Sequence, residues 1–142
     1  VPIGAILASG KAAGLMQPGN HGSTFGGNPL SCAAALAAIT EIVDGGLDKR
    51  AAELGDRIIN NLKTELADTD HVLEIRGRGC MIGIELDKPC KSLFMAAMEK
   101  GLIINVTADS VIRLLPPFVM TSDQADQLVD ILVPLIKDFD KD

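Results

Sequence analysis

Aromatic side chains are nearly missing from this sequence: it has no Trp, no Tyr and only 3% aromatic residues. Hydrophobic residues still make up 47% of it, so its core has to be aliphatic. A chain of 142 residues that folds compactly buries roughly two-thirds of its unfolded surface, enough for a proper core. Positive charge is also short, with 13 Lys and Arg against 19 Asp and Glu and a net charge of −6. That deficit argues against a nucleic-acid or anionic-membrane surface, where a basic patch is expected. No segment reaches the ~18 consecutive apolar residues of a membrane span. The N-terminus shows neither the charged leader nor the small-residue cleavage site of a signal peptide. The three cysteines (Cys32, Cys80 and Cys90) are odd in number and lack CxxC or Cys/His metal spacing. They read as reduced thiols of a cytoplasmic protein. There is no internal repeat and no low-complexity segment.

What the sequence does have is glycine, 14 in all, and a regular succession of apolar patterns. Residues 1–8 form a short apolar run that reads as a strand buried on both faces, as in a parallel sheet. Such a strand needs neighbours that the next ~40 residues do not offer, so residue 1 is expected to be a cut point inside a larger domain. The alternative is an N-terminal strand that pairs with later ones. Residues 11–28 look like a long Gly-rich loop with one helical turn. Asn28 followed by Pro29 is a good helix start, and an Ala-rich helix is expected over 30–43, ended by Gly45 and Gly46.

From there the pattern becomes denser. A second helix over 48–66 carries Leu47, Ala51, Leu54, Ile58, Leu62 and Leu66 at helical spacing. Strands are expected over 72–75 and 81–86, joined through Arg76, Gly77, Arg78 and Gly79, with Arg76 and Arg78 as solvated turn residues. Ile82, Ile84 and Leu86 alternate with Gly83 and Glu85, so one face of that strand is buried. A helix over 88–100 with Gly101 as its stop, a strand pair over 102–106 and 111–115, and a final helix follow. That last helix starts at a capping box, Thr121 with Gln124, and Pro134 should kink or fray it by clashing with the Asp130 carbonyl. This succession predicts an α+β fold in which a small, mostly antiparallel sheet has helices on one face. The domain division is 1–44 and 45–142. His71 is expected to be structural or solvent-facing, Met95 and Met98 to pack their helix, and Cys32 to be a small buried residue.

Two places carry recognisable chemistry. Residues 21–29 (His21, Gly22, Ser23, Thr24, Phe25, Gly26, Gly27, Asn28, Pro29) gather two hydroxyls, an imidazole and three glycines ahead of a helix. Exposed N–H groups, hydroxyl donors and the helix dipole all favour an anion there. A plain connecting loop capped by Asn28 explains the same residues equally well. Arg113 lies in the apolar run Val111, Ile112, Arg113, Leu114, Leu115. An unpaired buried guanidinium is costly, so this position calls for a carboxylate partner or an edge strand facing water. A planar, permanently charged fork suits a substrate carboxylate.

Together these segments resemble the class III aminotransferases, fold-type I enzymes that use pyridoxal 5'-phosphate (PLP). Residues 1–5 look like the strand after the family's PLP-binding lysine, and residues 21–30 like its cofactor-phosphate loop. Residues 76–86 look like the hairpin of its small domain. Residues 101–107 with 111–117 are similar to the acetylornithine branch in particular. The resemblance implies that 1–44 is a remnant of the large PLP-binding domain and that 45–142 is the C-terminal small domain. It implies a homodimer in which Thr24 bonds the PLP phosphate in the partner subunit's active site. Ser23 would then lie beside the substrate, and Arg113 would bind a substrate carboxylate or pair with an acid in its absence.

By the same resemblance the intact enzyme moves the terminal amino group of N2-acetylornithine to 2-oxoglutarate by a ping-pong route in arginine biosynthesis. Ornithine, succinylornithine and 4-aminobutyrate enzymes are the sister readings, and a non-catalytic interaction module is the reading from another class. The family's Schiff-base lysine would precede Val1. No lysine of this chain stands at the motif position; Lys11, for one, follows the strand instead. The expectation is therefore that this chain contains no catalytic residue and does not transaminate alone.

Overall fold

A computed structural model of the chain describes residues 1–139. The last three residues of the expected 45–142 domain lie outside the described range. The chain forms two compact units, Val1–Gly45 and Gly46–Asp142.

In the first unit, residues 1–9 form no strand, so the run does not pair with later strands of this chain. A strand exists only through a neighbour that takes its N–H and C=O groups, and nothing pairs with this segment. Its side chains stay exposed, Leu7 completely so. A single 3₁₀ turn, Gly10–Ala12, interrupts the loop that follows. Helix α1 then spans Pro29–Asp44. Asn28 caps it by accepting the Ser31 N–H at 2.9 Å, and Pro29 supplies the fixed φ of a first helical position. Gly45 closes it with its N–H on the Glu41 carbonyl at 3.1 Å. Leu36, Ile39 and Val43 are exposed and only Ser31 is buried. Cys32 is also exposed, not buried as its Ala-rich setting suggests, because no neighbouring element within this unit covers that side of α1.

The second unit contains the core. Its elements are α2 (Leu47–Glu65), β1 (Val72–Arg78), β2 (Met81–Leu86), α3 (Ser92–Glu99), β3 (Asn105–Thr107), β4 (Val111–Leu114) and α4 (Ser122–Asp138). The four strands form one antiparallel sheet in the order β1-β2-β4-β3. Alternation sets its faces. Ile82, Ile84 and Leu86 of β2 and Ile112 and Leu114 of β4 point to one side. There they pack with Leu54, Ile58 and Leu62 of α2, Leu93 and Ala97 of α3, and Leu132 and Ile136 of α4 in one aliphatic cluster. This is the expected α+β arrangement, with helices on a single face and the other sheet face left open.

Several boundaries moved for identifiable reasons. β1 runs on through Arg76 and Arg78, so these are strand residues, not turn residues, and Gly79 with Cys80 makes the turn. The tight turn is possible because Gly79 sits at φ +54°, a region open to glycine. α3 starts at Ser92 rather than at 88. Pro89 keeps Lys88 out of helical backbone, and the Cys90 N–H is already bonded to the Asp109 carbonyl at 2.9 Å. β3 is shorter than expected, at three residues. α4 begins at the capping box, with Thr121 Oγ1 accepting from the Gln124 N–H at 3.2 Å and Gln124 Oε1 from the Thr121 N–H at 2.9 Å. It continues past Pro134, since Pro134 and Asp130 both face outward, where water can take the carbonyl that proline leaves unbonded. Met95 and Met98 are exposed; the packing face of α3 is Leu93 and Ala97.

Two side-chain clamps hold α4 in place. His71 is buried and donates from Nε2 to the Ile136 carbonyl at 2.8 Å, with its ring 6.3 Å from that of Phe139. That makes it structural. Arg57 on α2 binds Asp126 on α4 through both oxygens, at 2.8 and 2.5 Å. The hydrogen bond from Arg57, and then its charge, hold the Asp126 carboxyl below its ordinary value of 3.8. A depressed carboxyl stabilises the fold above its unfolded value and ceases to do so as the pH falls through the folded one. Asp126→Asn should therefore lower the urea midpoint at pH 7, and the gap from wild type should close as the pH drops below 3.8. A gap independent of pH in parallel urea titrations would show that the charge pair is not its cause.

Candidate functional site

Ser23 and Thr24 lie in one tight turn of the first unit. The Gly26 N–H bonds the Ser23 carbonyl at 3.2 Å, which places Thr24 and Phe25 at the corner. A Cβ on Gly26 would meet the Ser23 Cβ at 3.0 Å, a tight contact that favours glycine here. Gly27 follows at φ +72° and swings the chain into α1. The Asn28 amide secures the junction, donating to the Phe25 carbonyl at 2.8 Å and the Ser31 hydroxyl at 3.0 Å.

This arrangement sharpens what the loop can bind. Of the first three N–H positions of α1, Pro29 has none and that of Ser31 is taken by Asn28. The helix end therefore offers its dipole but few free donors. The available donors are the hydroxyls of Ser23 and Thr24, both exposed and neither bonded to another described residue. Ser23 borders a cavity of about 520 Å³ with Pro2, Ile3, Gly4 and Asn28, while Thr24 is not part of its wall. Thr24 is exposed to solvent.

Arg113 belongs to the second unit, at the centre of the open sheet face. It stands opposite Gly83 on β2 and Asn105 on β3, and Gly83 in turn stands opposite Arg76 on β1. The row is Arg76, Gly83, Arg113, Asn105, with a gap in the middle where glycine has no side chain. A cavity of about 570 Å³ opens over it, walled by Arg76, Arg78 and Arg113 and floored by Met81, Gly83 and Val111. The Arg113 Nε is buried and has no hydrogen-bond partner among the described residues. A donor in that state is costly unless a ligand or another chain completes it. No described carboxylate reaches ion-pair distance of Arg113.

Arg76 differs from its neighbour. Its guanidinium bonds Glu74 and Glu85, each at 2.6 Å, and the bond to Glu85 contributes most to holding its proton more tightly than usual. Sequence reasoning missed this triad by assigning Arg76 to a turn. Extending the period-2 pattern of β1 past Ile75 would have put Glu74 and Arg76 on the face of Glu85. Cys80 and Cys90 are buried, and desolvation raises both thiols, so neither is an activated nucleophile. Among the described residues no cluster of His, Cys, Asp and Glu could hold a metal, and no single helix is long and apolar enough to cross a membrane.

An α+β unit with an arginine-walled cavity, preceded by a glycine-hydroxyl loop ahead of a helix, matches one family closely: residues 1–136 fit the model of Aminotransferase class-III. The chain belongs to that family of transaminases. Its curated relatives include acetylornithine aminotransferase 1 of Bordetella pertussis, 57% identical over 139 residues, which are 98% of this chain and 35% of that protein. Among solved structures it resembles the acetylornithine aminotransferase of Elizabethkingia anophelis, with a TM-score of 0.77 at 35% identity over 88% of this chain and 34% of that one. It also resembles the ornithine aminotransferase of Plasmodium yoelii, with a TM-score of 0.80 at 36% identity over 88% and 34% of the two chains. The chain thus spans about a third of the length of the curated relatives it matches.

Proposed function

We propose that this chain carries the C-terminal third of an enzyme that transfers the terminal amino group of N2-acetylornithine to 2-oxoglutarate. On this reading Val1–Gly45 belongs to the large PLP-binding domain and the second unit is the small domain. The relatives named for acetylornithine support the substrate, and the ornithine enzyme among the structural neighbours keeps ornithine as the second reading. The observation that carries the proposal is the pairing of two incomplete sites in one chain, an exposed hydroxyl turn and a buried arginine donor awaiting an acceptor.

PLP, when bound, supplies the electron sink for exchanging an amino for a keto group. The residues here fit a supporting role toward it. Thr24 donates a hydroxyl to the cofactor phosphate, and its exposed position suits an active site in the partner subunit of a cytoplasmic homodimer. Ser23, on the cavity side of the same turn, contacts the substrate. Arg113 holds a substrate carboxylate with its fork, and so orients the carbon chain that lies over Gly83. None of these side chains is placed to move the proton, so the 142-residue chain alone is expected to turn over no substrate.

Subunit complementation tests the arrangement. One full-length subunit carries Thr24→Val and the other lacks the cofactor-linking lysine. If Thr24 serves the partner's site, the mixed dimer regains one intact site, and its PLP affinity rises on the order of tenfold above that of the Thr24→Val homodimer. No recovery on mixing would place Thr24 in its own subunit's site or in none.

A further inference from the structure

We propose that Asn28 is a positioning residue for the cofactor phosphate: its side-chain amide fixes the turn at residues 23–26 against the start of α1 and so presents the Thr24 hydroxyl as a preformed donor. The proposal rests on the reading of Thr24 as the phosphate donor, and adds to it the residue through which that hydroxyl is set.

Three observations carry it. First, the amide is engaged on both sides in a way that defines its orientation. Its Oδ1 accepts the Ser31 N–H at 2.9 Å, while its Nδ2 donates to the Phe25 carbonyl at 2.8 Å and to the Ser31 hydroxyl at 3.0 Å. A backbone N–H is met only by the amide oxygen and a carbonyl only by the amide nitrogen, so neither bond survives a flip. Ser31, buried within α1, anchors the amide from the helix side. Second, among the described residues no other hydrogen bond links residues 23–26 to α1. Gly26 and Gly27 are the whole connection from Phe25 to Asn28, and Gly27 stands at φ +72°. Two glycines in succession leave the backbone free to swivel unless a side chain stops it. Third, Thr24 sits between two held carbonyls. The Ser23 carbonyl accepts the Gly26 N–H at 3.2 Å, and the Phe25 carbonyl is held by Asn28. A hydroxyl on backbone tethered at both ends loses less freedom when it meets a ligand.

Helix capping alone does not account for an amide at this position. Asp and Ser cap a helix about as well as Asn, using the same kind of oxygen that accepts the Ser31 N–H here. Asp has no proton to give the Phe25 carbonyl, and Ser offers its O–H from a shorter side chain. An amide accepts at one end and donates at the other.

The test is a double-mutant cycle in the full-length enzyme, with Asn28→Ser, Asn28→Asp and Thr24→Val alone and in combination. The readouts are the PLP dissociation constant from equilibrium dialysis and the melting temperature of the cofactor-free form. Both Asn28 variants keep a helix cap, so their melting temperatures should match that of the wild type. Thr24→Val should raise the PLP dissociation constant on the order of tenfold, and Asn28→Ser on the order of fivefold. Asn28→Asp should cost more, because it also adds negative charge near an anion, and that excess should shrink in high salt. In the Thr24→Val background Asn28→Ser should add almost nothing, and Asn28→Asp only its salt-sensitive part. If Thr24→Val leaves PLP binding unchanged, the reading of Thr24 fails and this proposal with it. If Thr24→Val weakens PLP while neither Asn28 variant does, Thr24 stands and Asn28 is a helix cap only. Equal losses from Asn28→Ser in both backgrounds would show that Asn28 does not act through Thr24, and would overturn the proposal as well.

Discussion

Gly55→Ala should lower the melting temperature of this chain by more than roughly 10 °C, the equivalent of about 3 kcal/mol for a unit of this size. Exposed helical sites usually gain up to about 1 kcal/mol from that substitution, so the expected sign is the reverse of the intrinsic preference. The reason is the hairpin tip. A Cβ on Gly55 would lie 2.0 Å from the Gly79 carbonyl oxygen and 2.5 Å from its carbon. Those are backbone atoms of a turn already constrained by φ +54° at Gly79, and they cannot rotate away as a side chain can. Cys80, next in the turn, is buried with its thiol 3.8 Å from the Ala51 carbonyl one helical turn earlier. Any retreat of the hairpin would therefore open the core at Ala51 and Leu54. Gly83→Ala is the control, since its Cβ would meet only Val111 at 3.5 Å and Arg76 at 3.9 Å, ordinary contacts. Calorimetry of the two variants should show a large loss for Gly55 and almost none for Gly83. Equal stabilities would mean that α2 and the hairpin are not in contact at this point.

Arg113→Ala should affect activity far more than stability. In the full-length enzyme kcat/KM for 2-oxoglutarate should fall roughly 10- to 100-fold, the worth of a charge-assisted hydrogen bond pair. Arg113→Lys should recover only part of the loss, because an ammonium is a point charge and not a planar fork. The melting temperature should hardly move, as the Arg113 Nε has no partner to lose among the described residues and the side chain lies on the open face of the sheet, away from the aliphatic cluster. A collapse of stability with unchanged kcat/KM would make this arginine a structural residue.

How much of this was legible beforehand depends on which forces are local. The helices α2 and α4 and the strand β2 could be read because a single apolar stripe or alternation runs their length. Asn28 and Thr121 were readable as caps because side chain and backbone N–H lie within three residues. The run at residues 1–8 forms no strand here, because its apolarity speaks for burial but a strand also needs a partner that composition cannot supply. Arg76 was misread for a related reason: Gly77 and Gly79, which follow it, mimic a turn, and only the pairing of Gly77 with Ile82 across the hairpin shows that the strand continues. Gly55 carries no sequence signal of its importance at all, since the atom it avoids is 24 residues away in the chain. The site was legible as two separate anion-seeking features. Register places Arg76 and Arg113 alike, both opposite Gly83 and diagonal to Glu85; Arg113 keeps an unsatisfied donor because Glu85 accepts from Arg76 instead.

The most direct check on the central claim is the substrate preference of the full-length enzyme, measured as kcat/KM for N2-acetylornithine and for ornithine with 2-oxoglutarate as acceptor. The acetylated substrate should be preferred; an enzyme that prefers free ornithine would place this chain with the ornithine aminotransferases and contradict the substrate proposed for it.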